Sequence, residues 1–305
     1  MNCIRCGKGT NAWRSAPAED KRCPNCGSEI AFSPRAGDVI ADKMFARVID
    51  RASAEGKLRF TAEQLYYDLR RTIGPVAREL FDSLWSRWLA VHGAPETLVT
   101  PWPTQGGAPT LREADIGDYS FDRVVITDHA WIVDFLLCNN FHFETNSAVL
   151  SIDGHPADRF EMIRGMLRKN PQIIVIAIHD ASVEGCAMAR RLVTEDGWFR
   201  EHGYVIDAGL MPAHRELYSD LWHPLDPVGH ANDSNDPDAE WLSRHMLDFA
   251  VVRPEKVMRR LFRASRRYGA LLDEPEGPRV GEVYTDKLLF GPGKHRRIAA
   301  GEELD

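Results

Sequence analysis

Residues 173–185 read IIVIAIHDASVEG, and this stretch decides the fold. Six residues from Ile173 to Ile178, five of them β-branched, run without polar alternation, as in a strand covered on both faces, and such strands belong to parallel sheets flanked by helices. The run ends abruptly in His179 and Asp180, which places Asp180 at the carboxyl end of the strand, where open α/β sheets collect ligands and reactive groups. Gly185 and the stretch from Ala187 to Leu192 then fit a tight turn into a helix. Asp180, Ser182 and Glu184 alternate ahead of that glycine, a spacing that offers hard oxygen ligands to a divalent metal. For Asp180 alone, a helix N-cap at the strand–helix turn is the plainer alternative.

Outward from this strand the chain alternates in the same way. Arg123–Thr127 reads as a strand, Ala130–Cys138 as a helix, Ala148–Ile152 as a strand, Asp158–Leu167 as a helix and Tyr204–Asp207 as one more strand. That alternation predicts a parallel sheet flanked by helices over residues 119–225. Asp153 and His155 follow a strand end and are weaker candidates for the same crevice.

Cysteine spacing marks a separate module at the N-terminus. Cys3, Cys6, Cys23 and Cys26 form two C-x2-C knuckles, each closed by a glycine, Gly7 and Gly27. The glycines let backbone amides turn toward the sulfurs, and two knuckles close an S4 shell of the kind that holds structural zinc. Residues 1–36 are therefore expected to be a zinc ribbon, with a pair of disulfides as the alternative. Cys138 and Cys186 stand apart and read as buried free thiols.

Residues 37–92 are expected to form a helical, winged-helix-like DNA-binding unit. Val39, Ile40, Met44, Val48 and Ile49 recur at a helical period. Thr61 with Gln64 spells a capping box ahead of AEQLYYDLRR. A further helix from Val76 to Val91 carries Leu80, Phe81, Leu84, Trp85 and Trp88. Residues 93–118, rich in Pro, Gly and Thr, read as a linker, and residues 226–305 as a polar loop, C-terminal helices and a basic tail.

The 305 residues carry a net charge of -7 and are 44% apolar, which supports real cores and neither requires nor excludes nucleic acid as partner. No apolar run is long enough to span a membrane and no signal pattern opens the chain, so a cytoplasmic protein without a membrane partner is expected. Within RPEKVMRRLFRASRR, helical spacing sends Val257, Leu261, Ala264 and Tyr268 inward. Arg259, Arg260, Arg263, Arg266 and Arg267 are left on an outer arc suited to phosphates, or to a solvated face paired with acids. Lys294, His295, Arg296 and Arg297 add a second basic patch.

Four segments in this order, VVITDHAWIVDFLL (124–137), SIDGHP (151–156), IAIHDASVEG (176–185) and VIDAGLMPAH (205–214), resemble a Toprim domain of the type in the A subunit of topoisomerase VI and its meiotic recombination relatives. Upstream, FTAEQLYYDLRR (60–71) resembles the winged-helix segment that carries that family's DNA-cleaving tyrosine. The resemblance spans about Asp38 to His214. It implies that Tyr67 is the nucleophile, that Asp128 is the first acidic position and Asp180 the first aspartate of an Asp-x-Asp pair, and that Mg²⁺ sits among Asp128, Asp180, Ser182 and Glu184. It also implies a homodimer acting on DNA with a separate ATPase subunit. Three positions depart from the pattern: Ser182 replaces the second aspartate, Glu63 stands where the family has arginine, and Asp128 is one methylene shorter than the family's glutamate. Two functions follow as expectations: Mg²⁺-dependent DNA cleavage or nicking with Tyr67, Asp128, Asp180 and Glu184 as the catalytic set, or a non-catalytic DNA-binding scaffold that keeps the fold.

Overall fold

A computed structural model describes residues 3–8, 22–101, 121–154, 163, 173–194, 199, 203–225, 236–271, 282–287 and 289–291. The predicted strands form a parallel sheet: β1 (Arg123–Thr127), β2 (Ser147–Ser151), β3 (Ile173–Ile178) and β4 (Gly203–Asp207). Together with β7 (Val283–Thr285) they take the order β2-β1-β3-β4-β7, every pairing parallel. Alternate residues of β3 face two different cores. Ile174, Ile176 and Ile178 join the cluster that holds Val125, Phe135 and Phe249, while Ile173, Val175 and Ala177 join Val124, Ile126, Met188 and Leu192. Both faces of β3 are thus covered, as the unbroken apolar run requires.

Helix α4 (Ala130–Cys138) matches its expected span, and α6 (Val183–Thr194) contains the helix expected after Gly185. The short α5 (Phe141–Glu144) lies between α4 and β2. Upstream stand three helices, α1 (Asp42–Ala52), α2 (Ala62–Ile73) and α3 (Arg78–His92). The predicted capping box is formed: Gln64 N–H donates to Thr61 Oγ1 at 3.3 Å and Thr61 N–H to Gln64 Oε1 at 3.1 Å. Phe60 pairs with the chain at Leu98 through one β-bridge. Phe45, Leu65, Phe81 and Trp88 of this unit share one hydrophobic cluster with Val125 and Ile176 of the sheet and Val257 and Leu261 of α8 (Pro254–Leu271). Core packing therefore runs without a break from the helical unit through the sheet to the C-terminal helix.

The C-terminal region returns to the sheet through a small ribbon, β5 (His223–Pro224) against β6 (His245–Met246), with α7 (Pro237–Leu242) between them. A bridge between Ala181 and Leu247, with amide bonds of 2.9 and 3.0 Å, docks this segment on the tip of β3. The expected helix Asp158–Leu167, most of the linker, His155 and the basic patch Lys294–Arg297 fall outside the described residues, apart from Ile163 and residues 93–101. Among the described residues no helix is long and apolar enough to cross a membrane.

Candidate functional site

Register alone brings the first acids together. In the parallel pairing of β1 with β3, Thr127 stands opposite Ile178, so the residues that follow leave the sheet side by side. Asp128 and His129 come from one strand end, His179 and Asp180 from the other. The Asp180 amide donates to Asp128 Oδ2 at 2.7 Å, and His129 Nε2 lies 2.9 Å from Asp180 Oδ2 and 3.8 Å from Asp128 Oδ2. Asp128, His129 and Asp180 offer ligand atoms that all lie within 4.8 Å of one another, a spacing that suits a metal ion. Asp128 Oδ1 is buried and has no hydrogen-bond partner among the described residues.

A third carboxylate arrives from the docked C-terminal segment. Asp248 opens a short 3-10 turn (Phe249–Val251) and caps it, Oδ1 accepting Ala250 N–H at 2.7 Å. The next amide, Phe249 N–H, donates to Asp180 Oδ1 at 2.6 Å. Three acids close together inside the protein oppose ionisation. Burial first and the charge of Asp180 second push Asp128 up to about 6 and Asp248 up to about 7. His129 is held in its charged form, its pKa pushed up to about 9, chiefly through its hydrogen bond to Asp180 and then the charges of Asp128, Asp180 and Asp248, against the opposing effect of burial. The imidazolium is thus the counter-ion of Asp180 when no other cation is bound.

Tyr67 also belongs to this polar cluster, but not as an open nucleophile. Its side chain is 1% exposed, and its hydroxyl lies 2.6 Å from His223 Nε2 and donates to Asp248 Oδ2 at 3.3 Å. Burial, followed by the Asp248 charge, raises the phenol far above its ordinary range. That is the reverse of what an activated tyrosine needs. Glu63 ion-pairs with Arg78 at 3.8 Å instead of facing the Tyr67 hydroxyl.

Two predicted magnesium ligands are not brought in. Ser182 Oγ accepts the Gly185 amide at 3.0 Å and so closes the first turn of α6, because a hydroxyl three residues before a free N–H satisfies it locally. Glu184 is exposed on α6 and is absent from the cluster of Asp128, His129 and Asp180. Asp153 is exposed as well. His179 is fully buried, with Nε2 2.8 Å from Asp207 Oδ1 and Nδ1 2.7 Å from the Asp180 carbonyl, and acts as a brace for the strand tip. His129, Asp248 and His223 were not read as site residues in the sequence. The signals for them are slight: His129 follows Asp128 directly, and Asp248 precedes the apolar run Phe249–Val252.

On α8 the inward set is as expected, with Val257, Leu261, Ala264 and Tyr268 buried. The outer arc is thinner than predicted. Arg260 turns back to the carbonyls of Leu289 and Gly291 and is half-buried, whereas Arg259, Arg263, Arg266 and Arg267 remain exposed, Arg259 against Glu255 at 3.6 Å and Arg267 against Asp286.

The four N-terminal cysteines converge. Cys3 and Cys26 sulfurs lie 3.8 Å apart and those of Cys6 and Cys23 3.9 Å apart, too far for disulfides. Four thiolates at about 2.3 Å from one tetrahedral ion stand roughly 3.8 Å from each other, so the spacing fits a metal. Gly7 and Gly27 both take φ of 70°, and their amides bond back to the Cys3 and Cys23 carbonyls at 3.0 and 2.8 Å. That left-handed turn is the reason glycine closes each knuckle. Cys138 and Cys186 are half-buried thiols without a bridge. Comparison of the chain with protein-family models, with curated proteins and with solved structures finds no match.

Proposed function

We propose that the protein is a divalent-metal-dependent DNA-cleaving or DNA-nicking enzyme whose centre lies at the tips of β1 and β3. The observation that carries this reading is Asp128 Oδ1, a buried carboxylate oxygen with no partner among the described residues, beside a second carboxylate and an imidazole at ligand spacing. An orphaned buried acceptor is costly unless something positive meets it. Two carboxylates and a histidine suit Mg²⁺ or, with the nitrogen donor, Mn²⁺. When bound, such an ion would neutralise a phosphodiester and activate water. The chain's own residues divide the remaining work. Asp128, Asp180 and, once it has released its proton, His129 would hold the ion, Phe249 N–H fixes the orientation of Asp180, and Asp248 keeps the Tyr67 hydroxyl engaged.

The resemblance to Toprim domains supports DNA as the substrate and a winged-helix role for α1 to α3. In this reading water, not Tyr67, attacks the phosphate, because the phenol is buried and paired. Zinc in the four-cysteine shell braces the N-terminal ribbon and leaves no open position for chemistry. The test is nicking of supercoiled plasmid with Mg²⁺ or Mn²⁺. Asp128→Asn keeps an oxygen to accept the Asp180 amide but loses the charge, and should abolish nicking while the protein stays folded. Nicking at the wild-type rate by that variant sinks the assignment.

A further inference from the structure

A second charged cluster lies at the other end of the segment that completes the metal site. Arg71, from α2, and Arg253, just ahead of α8, meet on one oxygen: Arg71 Nη1 and Arg253 Nε donate to Asp68 Oδ1 at 2.9 and 3.0 Å. Arg71 also donates to the Val251 carbonyl. From Arg253 the helix carries Lys256 and Arg260 three and seven residues on, a spacing that sets all three on one stripe. Lys256 Nζ donates to the Tyr218 hydroxyl at 3.0 Å.

The charges here do not balance. Among the described residues the only carboxylate paired with these four cations is Asp68. This happens in a chain with 45 acidic residues and 38 basic ones. Burial, and then Arg260, Arg71, Arg259 and Arg253, drive the Lys256 ammonium down to about 8. The helix adds to the imbalance. Arg253 and Lys256 stand at the N-terminal end of an 18-residue helix, where the macrodipole is positive and disfavours cations while favouring an anion.

We propose that Arg71, Arg253, Lys256 and Arg260 form a phosphate grip that holds the backbone of the same DNA strand that enters the Asp128–Asp180 centre. The assignment rests on the reading of that centre given above. Arginine forks match phosphate oxygens, and Lys256 adds a point charge beside them. The connection is direct: Phe249 N–H is on Asp180, the Val251 carbonyl on Arg71, and Arg253 on Asp68. Five residue steps from Asp248 to Arg253 reach at most about 18 Å. A DNA strand carries one phosphate per roughly 3.4 Å of axis, so the backbone at Asp248 and the backbone at Arg253 lie within about five phosphate spacings of each other.

The experiment is fluorescence anisotropy of labelled duplex DNA with the full chain in EDTA over a salt series, with Mn²⁺-dependent nicking measured in parallel. Lys256→Gln and Arg253→Gln should each weaken binding several-fold and each flatten the slope of log K against log salt by about 0.9. Arg253→Lys should keep the slope, and Arg259→Gln, whose partner is Glu255, should change neither quantity. Wild-type affinity and slope in Lys256→Gln, or no DNA binding by the wild type, overturns the grip. Unchanged binding with intact nicking sinks the grip alone, whereas grip-dependent binding without nicking by the wild type sinks the metal centre alone. Lys256→Gln carries the test if Arg253→Gln, which also touches Asp68, fails to fold.

Discussion

Gly185→Ala separates two physical effects of opposite sign at the first turn of α6. Helix propensity alone favours alanine over glycine by about 1 kcal/mol. The local geometry says otherwise: a Cβ at Gly185 would stand 2.4 Å from the Asp180 carbonyl oxygen, 3.0 Å from Ser182 Oγ and 3.2 Å from His179 Nδ1. The nearest atom is backbone, and it cannot retreat alone. Asp180 is pinned through Oδ1 by Phe249 N–H at 2.6 Å and through Oδ2 by His129 at 2.9 Å. Overpacking of this kind costs about 1 to 3 kcal/mol. One disturbed buried hydrogen bond adds about 1 kcal/mol. Set against the propensity gain, the net is a loss of about 2 kcal/mol, with Asp180 displaced from its place beside Asp128. Urea unfolding at equilibrium measures the first consequence, and the Mn²⁺-induced rise in unfolding midpoint measures the second, since an ion that binds only the folded state stabilises it. A variant as stable as the wild type, or more so, would refute the reasoning and show that the turn relaxes at no cost.

Three further outcomes are expected. Purified protein should contain about one zinc per chain, and Cys26→Ser should remove it and loosen the segment that carries the four cysteines, as metal analysis and limited proteolysis would report. Tyr67→Phe should cost about 1 to 3 kcal/mol in urea unfolding, because His223 Nε2 and Asp248 Oδ2 both lose a buried partner, yet leave nicking intact; complete loss of nicking in the folded variant would return the hydroxyl to the chemistry. His214 accepts Met211 N–H at Nδ1 and bonds the Lys287 carbonyl through Nε2, a pair that only the neutral ring satisfies, and burial leads the effects that hold its pKa below the usual value. The unfolded chain takes up that proton near pH 6.5 and the folded one resists it, so the contribution is full above that pH and is lost as pH falls through the depressed value; urea midpoints over pH should lose this part of their slope in His214→Gln.

Much of the architecture could be read in advance because its causes are local. The run Ile173–Ile178 has to be covered on both faces whatever surrounds it, and two cores divide its side chains. The Thr61–Gln64 box and the helix Ala130–Cys138 depend on neighbours a turn away. Strand order has no such local cause. That β1 lies between β2 and β3, and that three residues from Val283 close the sheet edge, follow from packing across distant parts of the chain. The arginine arc failed in part for the same reason. Arg260 and Arg267 sit at outward spacings, but long side chains reach around the helix, and the carbonyls of Leu289 and Gly291 and the Asp286 carboxylate lie within their span.

The site shows where such reading must stop. Asp180 was visible because an apolar run that ends in an acid marks a strand tip, whereas Asp128 was expected only from the resemblance to Toprim domains, and their meeting depends on the β1–β3 register. Ser182 and Glu184 had the right spacing and the wrong geometry, since a hydroxyl beside a free helix amide caps it and a residue in the first turn of α6 follows the helix face to solvent. Asp248 has no spacing at all relative to Asp180. It arrives because Leu247 pairs with Ala181 and Phe249 lends its amide to Asp180, contacts made across some seventy residues. A cluster of acids held together by long-range packing opposes its own formation, and the apolar core that joins the sheet to Phe249 and Val257 must supply what the repulsion removes. Replacing buried acids by apolar residues is often neutral or stabilising, so the meeting of Asp128 and Asp180 beside His129, invisible in any window of sequence, fits the proposed cation site better than a purely structural role.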